Sequence, residues 1–97
     1  MIRSFKDKGS ADIFEGIDSK AARRKCPRSL WGVAARKLEQ IDSALTLKDL
    51  RIPPGNRLEA LSGNLIGQFG IRVNEQYRIC FAWTDTGPGN VEIVDYH

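Results

Sequence analysis

The sequence predicts an α+β chain with its helices first and an antiparallel meander after them, and three observations predict it. Leu30, Ala34, Leu38, Ile41 and Leu45 recur at three- and four-residue steps, which lays one apolar stripe along a helix. The stretch from Arg51 to Asn56 holds Pro53, Pro54 and Gly55 and ends that pattern. Beyond it the period falls to two: Tyr77, Ile79, Phe81 and Trp83 alternate with Arg78, Cys80 and Ala82.

Taken in order, residues 2–5 alternate and suit a short edge strand. Residues 7–15 suit a short helix stopped by Gly16, although Gly9 weakens it. Pro27 belongs in the first turn of a longer helix, where a missing N–H costs nothing. Arg24, Lys25, Arg28, Arg36 and Lys37 lie off the apolar stripe, so this is a basic amphipathic helix or helix pair. Residues 57–61 form a strand and Ser62-Gly63-Asn64 a turn. Residues 65–73 form another strand, with Phe69, Ile71 and Val73 on one face. Asn74-Glu75-Gln76 is the hairpin loop before the strand at 77–83. Residues 85–90, with two glycines and a proline, read as a loop, and 91–96 as the last strand. The expected order is β-α-α-β-β-β-β, with two N-terminal helices packed on one face of a small curled sheet.

A chain of 97 residues suits one domain, 1–97. Its hydrophobic share of 41%, including Trp31, Trp83 and four Phe, is enough for one modest core and is not that of a disordered chain. Charge is uneven: residues 1–57 carry 13 Lys+Arg against 7 Asp+Glu, and residues 58–97 carry 2 against 5. The first half therefore attracts polyanions. Cys26 and Cys80 have neither metal nor redox spacing. No apolar run approaches the roughly 20 residues that span a bilayer. Both thiols are expected free, in the cytoplasm, and no membrane partner is expected.

Alternation puts Arg72 and Arg78 on the face away from the helices, flanking one hairpin loop. Two guanidiniums on neighbouring strands repel unless an anion lies between them. A phosphate would satisfy both, and so would nearby carboxylates such as Glu75 or Glu92. His97, the sole histidine, ends the chain after Asp95 and Tyr96. It titrates near neutrality, and its own α-carboxylate favours the protonated ring. RNA cleavage by the neighbouring 2′-OH needs a base for that hydroxyl, an acid for the leaving 5′-oxygen and cations for the phosphorane. Asp95, Tyr96, His97, Arg72 and Arg78 supply these types. One histidine and separated carboxylates make no metal cluster, and no cofactor is expected.

The segments MIRSFKDKG at the start, GNRLEALSG at 55–63, GQFGIRVNEQYRICF at 67–81 and the terminal VDYH together resemble the HigB-type toxins of the RelE superfamily, the toxic halves of bacterial type II toxin–antitoxin pairs. The resemblance implies a RelE-like fold and a ribosome-dependent endoribonuclease that cuts messenger RNA in the 30S A site and slows growth. It implies a cognate helix-turn-helix antitoxin, with operator DNA reached only through that antitoxin. The family's core arginine corresponds to Arg78, and its C-terminal acid, Tyr and His to Asp95, Tyr96 and His97. Arg72 and Arg57 would hold phosphate. Arg24, Lys25, Arg28, Arg36 and Lys37 would grip ribosomal RNA through its phosphates. Where many relatives read Leu-His-Pro-Leu, this chain reads Leu58, Glu59, Ala60, Leu61. Glu59 is an alternative base, or a negative charge that weakens attraction to RNA. A binding module without catalysis is the competing reading, and a generic basic protein with solvated charges the third.

Overall fold

Asp7 and Gly16 set the limits of the first helix, α1 (Lys8–Glu15). The Asp7 carboxylate accepts the Ser10 N–H at 2.7 Å, which satisfies one of the amide donors a helix start leaves open. Gly16 takes the left-handed conformation, φ 76, that closes the other end. The second helix, α2 (Lys20–Lys25), is capped by Ser19, whose hydroxyl accepts the Ala22 N–H at 3.0 Å. Gly9 is where the two helices meet: a Cβ there would lie 2.5 Å from the Ala21 carbonyl oxygen. The glycine that counts against a helix in sequence is thus what allows the close crossing.

A computed structural model describes residues 1–95. Pro27 precedes a 3₁₀ turn, Arg28–Leu30, that runs into α3 (Trp31–Ser43). Ala34, Leu38 and Ile41 from the apolar stripe are fully buried. Leu45 is not; it is 88% exposed. The chain leaves the helix at Ala44 with ψ 131, and the Asp49 carboxylate then accepts the N–H groups of Leu45 and Thr46 at 2.9 and 3.0 Å. This capping box opens the 3₁₀ turn Leu47–Arg51 and pulls Leu45 off the stripe.

Four antiparallel strands follow in sheet order β1-β2-β3-β4. They are β1 (Glu59–Ala60), β2 (Gln68–Arg72), β3 (Tyr77–Thr84) and β4 (Gly87–Asp95). The α+β class with helices before a meander is therefore observed, with local differences. The helical half holds three α-helices rather than two, because Pro27 separates α2 from α3. The first expected strand shrinks to one bridge, Phe5 beside Val91 in parallel sense. Residues 85–90 are not all loop: β4 begins at Gly87, and buried Pro88 stands opposite Trp83. Pro88 has no N–H to give, yet its carbonyl accepts the Arg3 N–H at 2.8 Å.

Register places Phe69 opposite Phe81 and Ile71 opposite Ile79, and Ile79 also faces Ile93. These side chains join Leu38, Ile41, Ile13 and Leu50 in the core between helices and sheet. Apart from Phe69, which is half-buried, each of these side chains is buried and contributes roughly 1.5–3 kcal/mol by transfer from water. Between Cys80 and Ala82 the β3–β4 ladder shifts by one: Cys80 faces Glu92 but Ala82 faces Gly89. Asn90, at φ 49, takes up the extra residue.

Candidate active site

Register also decides what the other face carries. Directly paired residues on antiparallel strands share a face. Gly70–Cys80 and Arg72–Arg78 are such pairs, and they alternate with the core pairs Phe69–Phe81 and Ile71–Ile79. The two arginines thus stand side by side on the sheet face away from the helices, as alternation requires. The loop between them is held by one side chain: Asn74 Oδ1 accepts the N–H groups of Gln76 and Tyr77 at 2.9 and 2.7 Å. This Asx turn fixes the spacing of the arginines.

Arg57, Arg72, Asn74, Glu75 and Arg78 line an open cleft of about 360 Å³. Three arginines lining one space could hold an anion such as a phosphate. Acids surround them. Glu59 Oε1 lies 3.1 Å from Arg78 Nη1, and Glu75 Oε1 lies 3.9 Å from Arg72 Nη2. Of the carboxylates expected near the arginines, Glu75 takes that place, whereas Glu92 pairs with Lys6 at 3.3 Å instead. Glu75 is almost wholly exposed, so its pairing is weak. Arg78 is the more enclosed arginine, with 19% of its side chain exposed. Glu59 faces Gly70, the residue paired with Cys80, so it reaches Arg78 from the sheet's edge strand.

Asp95 stands opposite Tyr77 at the end of β4, and its Oδ2 accepts from Gln76 Nε2 at 3.1 Å. The chain's last acid therefore sits beside the hairpin loop that separates the arginines. Tyr96 and His97 lie outside the described residues. Cys80 lies on the arginine face and is buried. Burial, followed by the Glu92 charge, pushes its thiol up to about 11, so it is a protonated thiol at neutral pH and not a nucleophile. Among the described residues, no three His, Cys, Asp or Glu side chains come together to hold a metal ion. A second hollow, about 180 Å³, lies between Leu47, Arg51, Leu58 and Phe69. Its walls are more apolar, and it gathers none of the three cleft arginines.

The five basic residues expected to grip ribosomal RNA are spread over three elements. Arg24 is exposed on α2. Lys25 is paired with Asp7 at 2.9 Å. Arg28 pairs with Asp18 at 2.5 Å and lies 5.9 Å over the Trp31 ring. Arg36 is exposed on α3, whereas Lys37 turns inward and donates to Asn56 Oδ1. Burial, then the Arg36 charge, lowers Lys37 from its ordinary range. Two residues that shape this region are not legible in the sequence: Asn74 has the signature of any hairpin loop residue, and Asn56, inside a Pro-Gly-Asn turn, gives no outward sign of being buried.

Comparison with known proteins adds three findings. The family model described as "RelE-like toxin of type II toxin-antitoxin system HigB" matches residues 3–97. The chain is 49% identical over 85 residues to "Toxin HigB-1" of Vibrio cholerae serotype O1, an alignment covering 88% of this chain and 86% of that protein. It is 39% identical over 67 residues to an uncharacterised protein of Haemophilus influenzae, covering 69% of this chain and 66% of that one.

Proposed function

Because the chain belongs to the RelE-like HigB toxins of type II toxin–antitoxin systems, we propose that its three-arginine cleft binds messenger RNA in the ribosomal A site and cleaves it. The observation that supports this reading is the convergence of Arg57, Arg72 and Arg78 on one open cleft, with the Glu59 carboxylate against Arg78.

The chemistry is internal transesterification. The ribose 2′-oxygen attacks the adjacent phosphorus, the bond from phosphorus to the 5′-oxygen breaks, and a 2′,3′-cyclic phosphate and a 5′-hydroxyl result. Arg78, Arg72 and Arg57 hold the phosphate and offset the charge that grows on the phosphorane oxygens. A guanidinium stays protonated and cannot take the 2′-OH proton. That proton goes to a base, for which Glu59, Tyr96 and His97 are the candidates. The leaving oxygen takes a proton from an acid, for which His97 and Tyr96 are the candidates, with Asp95 orienting His97. Arg24, Arg28 and Arg36 contact ribosomal RNA through phosphates. The cognate partner is a helix-turn-helix antitoxin through which the pair reaches operator DNA. The reaction takes place in the cytoplasm, and no described helix is long and apolar enough to cross a membrane.

The test is to induce the chain alone in a bacterial host and map new messenger-RNA 5′ ends, beside Arg78→Ala and a chain lacking His97. Expected are new ends inside translated codons, dependent on translation and absent from both variants. Unchanged transcripts from a folded, soluble chain would leave the binding-module reading. That second reading draws on Glu59 standing where many relatives carry a histidine, and membership of the toxin family disfavours a generic basic protein.

A further inference from the structure

Arg57 enters the cleft from a backbone conformation that L side chains rarely adopt, φ 48 and ψ 53. Glycine would take that position without strain. Such a residue persists only where its surroundings over-determine it, and such positions cluster at functional sites. The surroundings here centre on the preceding residue. Asn56 is fully buried, unusual for an amide side chain. Its Nδ2 donates to Gln40 Oε1 at 3.0 Å and to the Leu50 carbonyl at 3.1 Å, and its Oδ1 accepts from Lys37 Nζ. Its backbone N–H donates to the Pro53 carbonyl at 3.0 Å, and the Arg57 N–H donates to that of Pro54 at 3.1 Å. One amide thus ties α3, the turn Leu47–Arg51 and the turn Pro54–Asn56 together, directly before the arginine that lines the cleft.

We infer that Asn56 is a positioning residue for RNA binding: its buried hydrogen bonds fix the turn that projects Arg57 into the cleft beside Arg72 and Arg78. Lys37 acts through Asn56 and does not touch RNA. The inference rests on the proposed reading of the cleft as an RNA site. Leaving a buried amide partly unsatisfied frees the turn, and Arg57 then samples conformations that do not face the phosphate.

The experiment is a double-mutant cycle on the purified full chain, reading the Kd for a fluorescein-labelled single-stranded RNA oligonucleotide. Arg57→Ala is expected to weaken binding about three- to tenfold, the size of one lost phosphate contact. Asn56→Ser should weaken it comparably, and the double variant should bind no worse than Arg57→Ala alone. Lys37→Gln keeps a donor for Asn56 without the charge, and should bind close to the unchanged chain, whereas Lys37→Leu should not. Arg57→Gly separates position from stability: it should melt no lower than the unchanged chain yet bind as weakly as Arg57→Ala. If Asn56→Ser fails to fold, Lys37→Leu takes its place in the cycle. Losses that multiply in the double variant, or an Arg57→Ala chain that binds normally, would overturn the inference and leave the RNA reading intact. An unchanged chain that binds neither this oligonucleotide nor ribosomes carrying messenger RNA would overturn both.

Discussion

Glu59 Oε1 stands 3.1 Å from Arg78 Nη1, so the most enclosed guanidinium of the cleft is already engaged by an acid on the edge strand. An incoming phosphate competes with that carboxylate for the same cation. The pair is partly exposed, at 19% and 44% of the two side chains. Solvent therefore screens it, and it is worth no more than about 1 kcal/mol.

Glu59→Gln removes the competing charge and keeps the shape. RNA affinity should rise by up to about fivefold, the equivalent of that 1 kcal/mol. Anisotropy titration with a single-stranded RNA checks it, and unchanged or weaker binding rules the competition out. Cleavage measured alongside assigns the acid's role. A slower cut despite tighter binding makes Glu59 the acceptor of the 2′-OH proton. A faster cut makes it a competitor only.

Salt should weaken RNA binding in proportion to the phosphates contacted. Arg24→Ala and Arg36→Ala remove exposed cations. Each should lower the slope of log affinity against log salt by roughly 0.7–1 if it meets a phosphate. Lys25→Ala should leave the slope unchanged and lower the melting temperature instead, because Lys25 is committed to Asp7. Equal slopes for all three variants would place ribosomal RNA on a different surface.

Two glycine-to-alanine changes should have opposite signs. At Gly9 the new methyl would lie 2.5 Å from the Ala21 carbonyl oxygen and 2.4 Å from Lys25 Cγ. Forcing α1 and α2 apart there should cost about 1–3 kcal/mol. At Gly32, on the exposed side of α3, the nearest atom is Arg36 Nη1 at 3.8 Å. Alanine should stabilise that helix by about 0.5–1 kcal/mol. Urea midpoints of both variants decide it, and a Gly9→Ala chain as stable as the parent would mean the helices are not fixed in contact.

Acid should destabilise the fold through two carboxylates in particular. Lys8 and then the Ser19 hydroxyl hold Asp12 below its ordinary range. The Thr46 and Leu45 amides do the same for Asp49. A carboxyl whose folded pKa is depressed favours folding at pH values above its unfolded pKa, about 3.9. That contribution is lost as pH falls from there through the lower folded value. Melting temperature followed from pH 7 down to about pH 3 should therefore drop, and drop less steeply for Asp49→Asn, which keeps an acceptor but cannot be protonated in this range. An identical pH profile for the variant would exclude Asp49 as a source of the acid sensitivity.

Local chemistry made much of this legible. The Gly16 stop, the break at Pro53-Pro54-Gly55 and the alternation of β3 follow from single-residue conformational preferences. The facing of Arg72 and Arg78 follows from counting outward from the hairpin loop. Periodicity could not see that Asp49 recruits the backbone at Leu45, because the stripe continues on paper after the helix has ended. It could not bring Glu59 to Arg78 either. That meeting depends on the β1–β2 register, which is set by the turn Gly63–Leu65 and not by any pattern in β1's two residues. Asn56 carries no burial signal of its own, because a Pro-Gly-Asn run has the pattern of a solvent-facing turn, whereas α3 behind it, through Lys37 and Gln40, makes the position interior.

The extra residue at Asn90 acts as a parity switch for everything that follows it. Pro88 and Val91, three positions apart, are both buried, because the bulge reverses the alternation between them. From Val91 onward the restored count turns Ile93 inward and aligns Glu92 with Cys80 and Asp95 with Tyr77. Removing one residue here would invert the remaining strand, aiming Glu92 at the core and Ile93 at solvent. Asp95, at the end of β4 beside the hairpin loop, thus owes its facing to a kink five residues upstream.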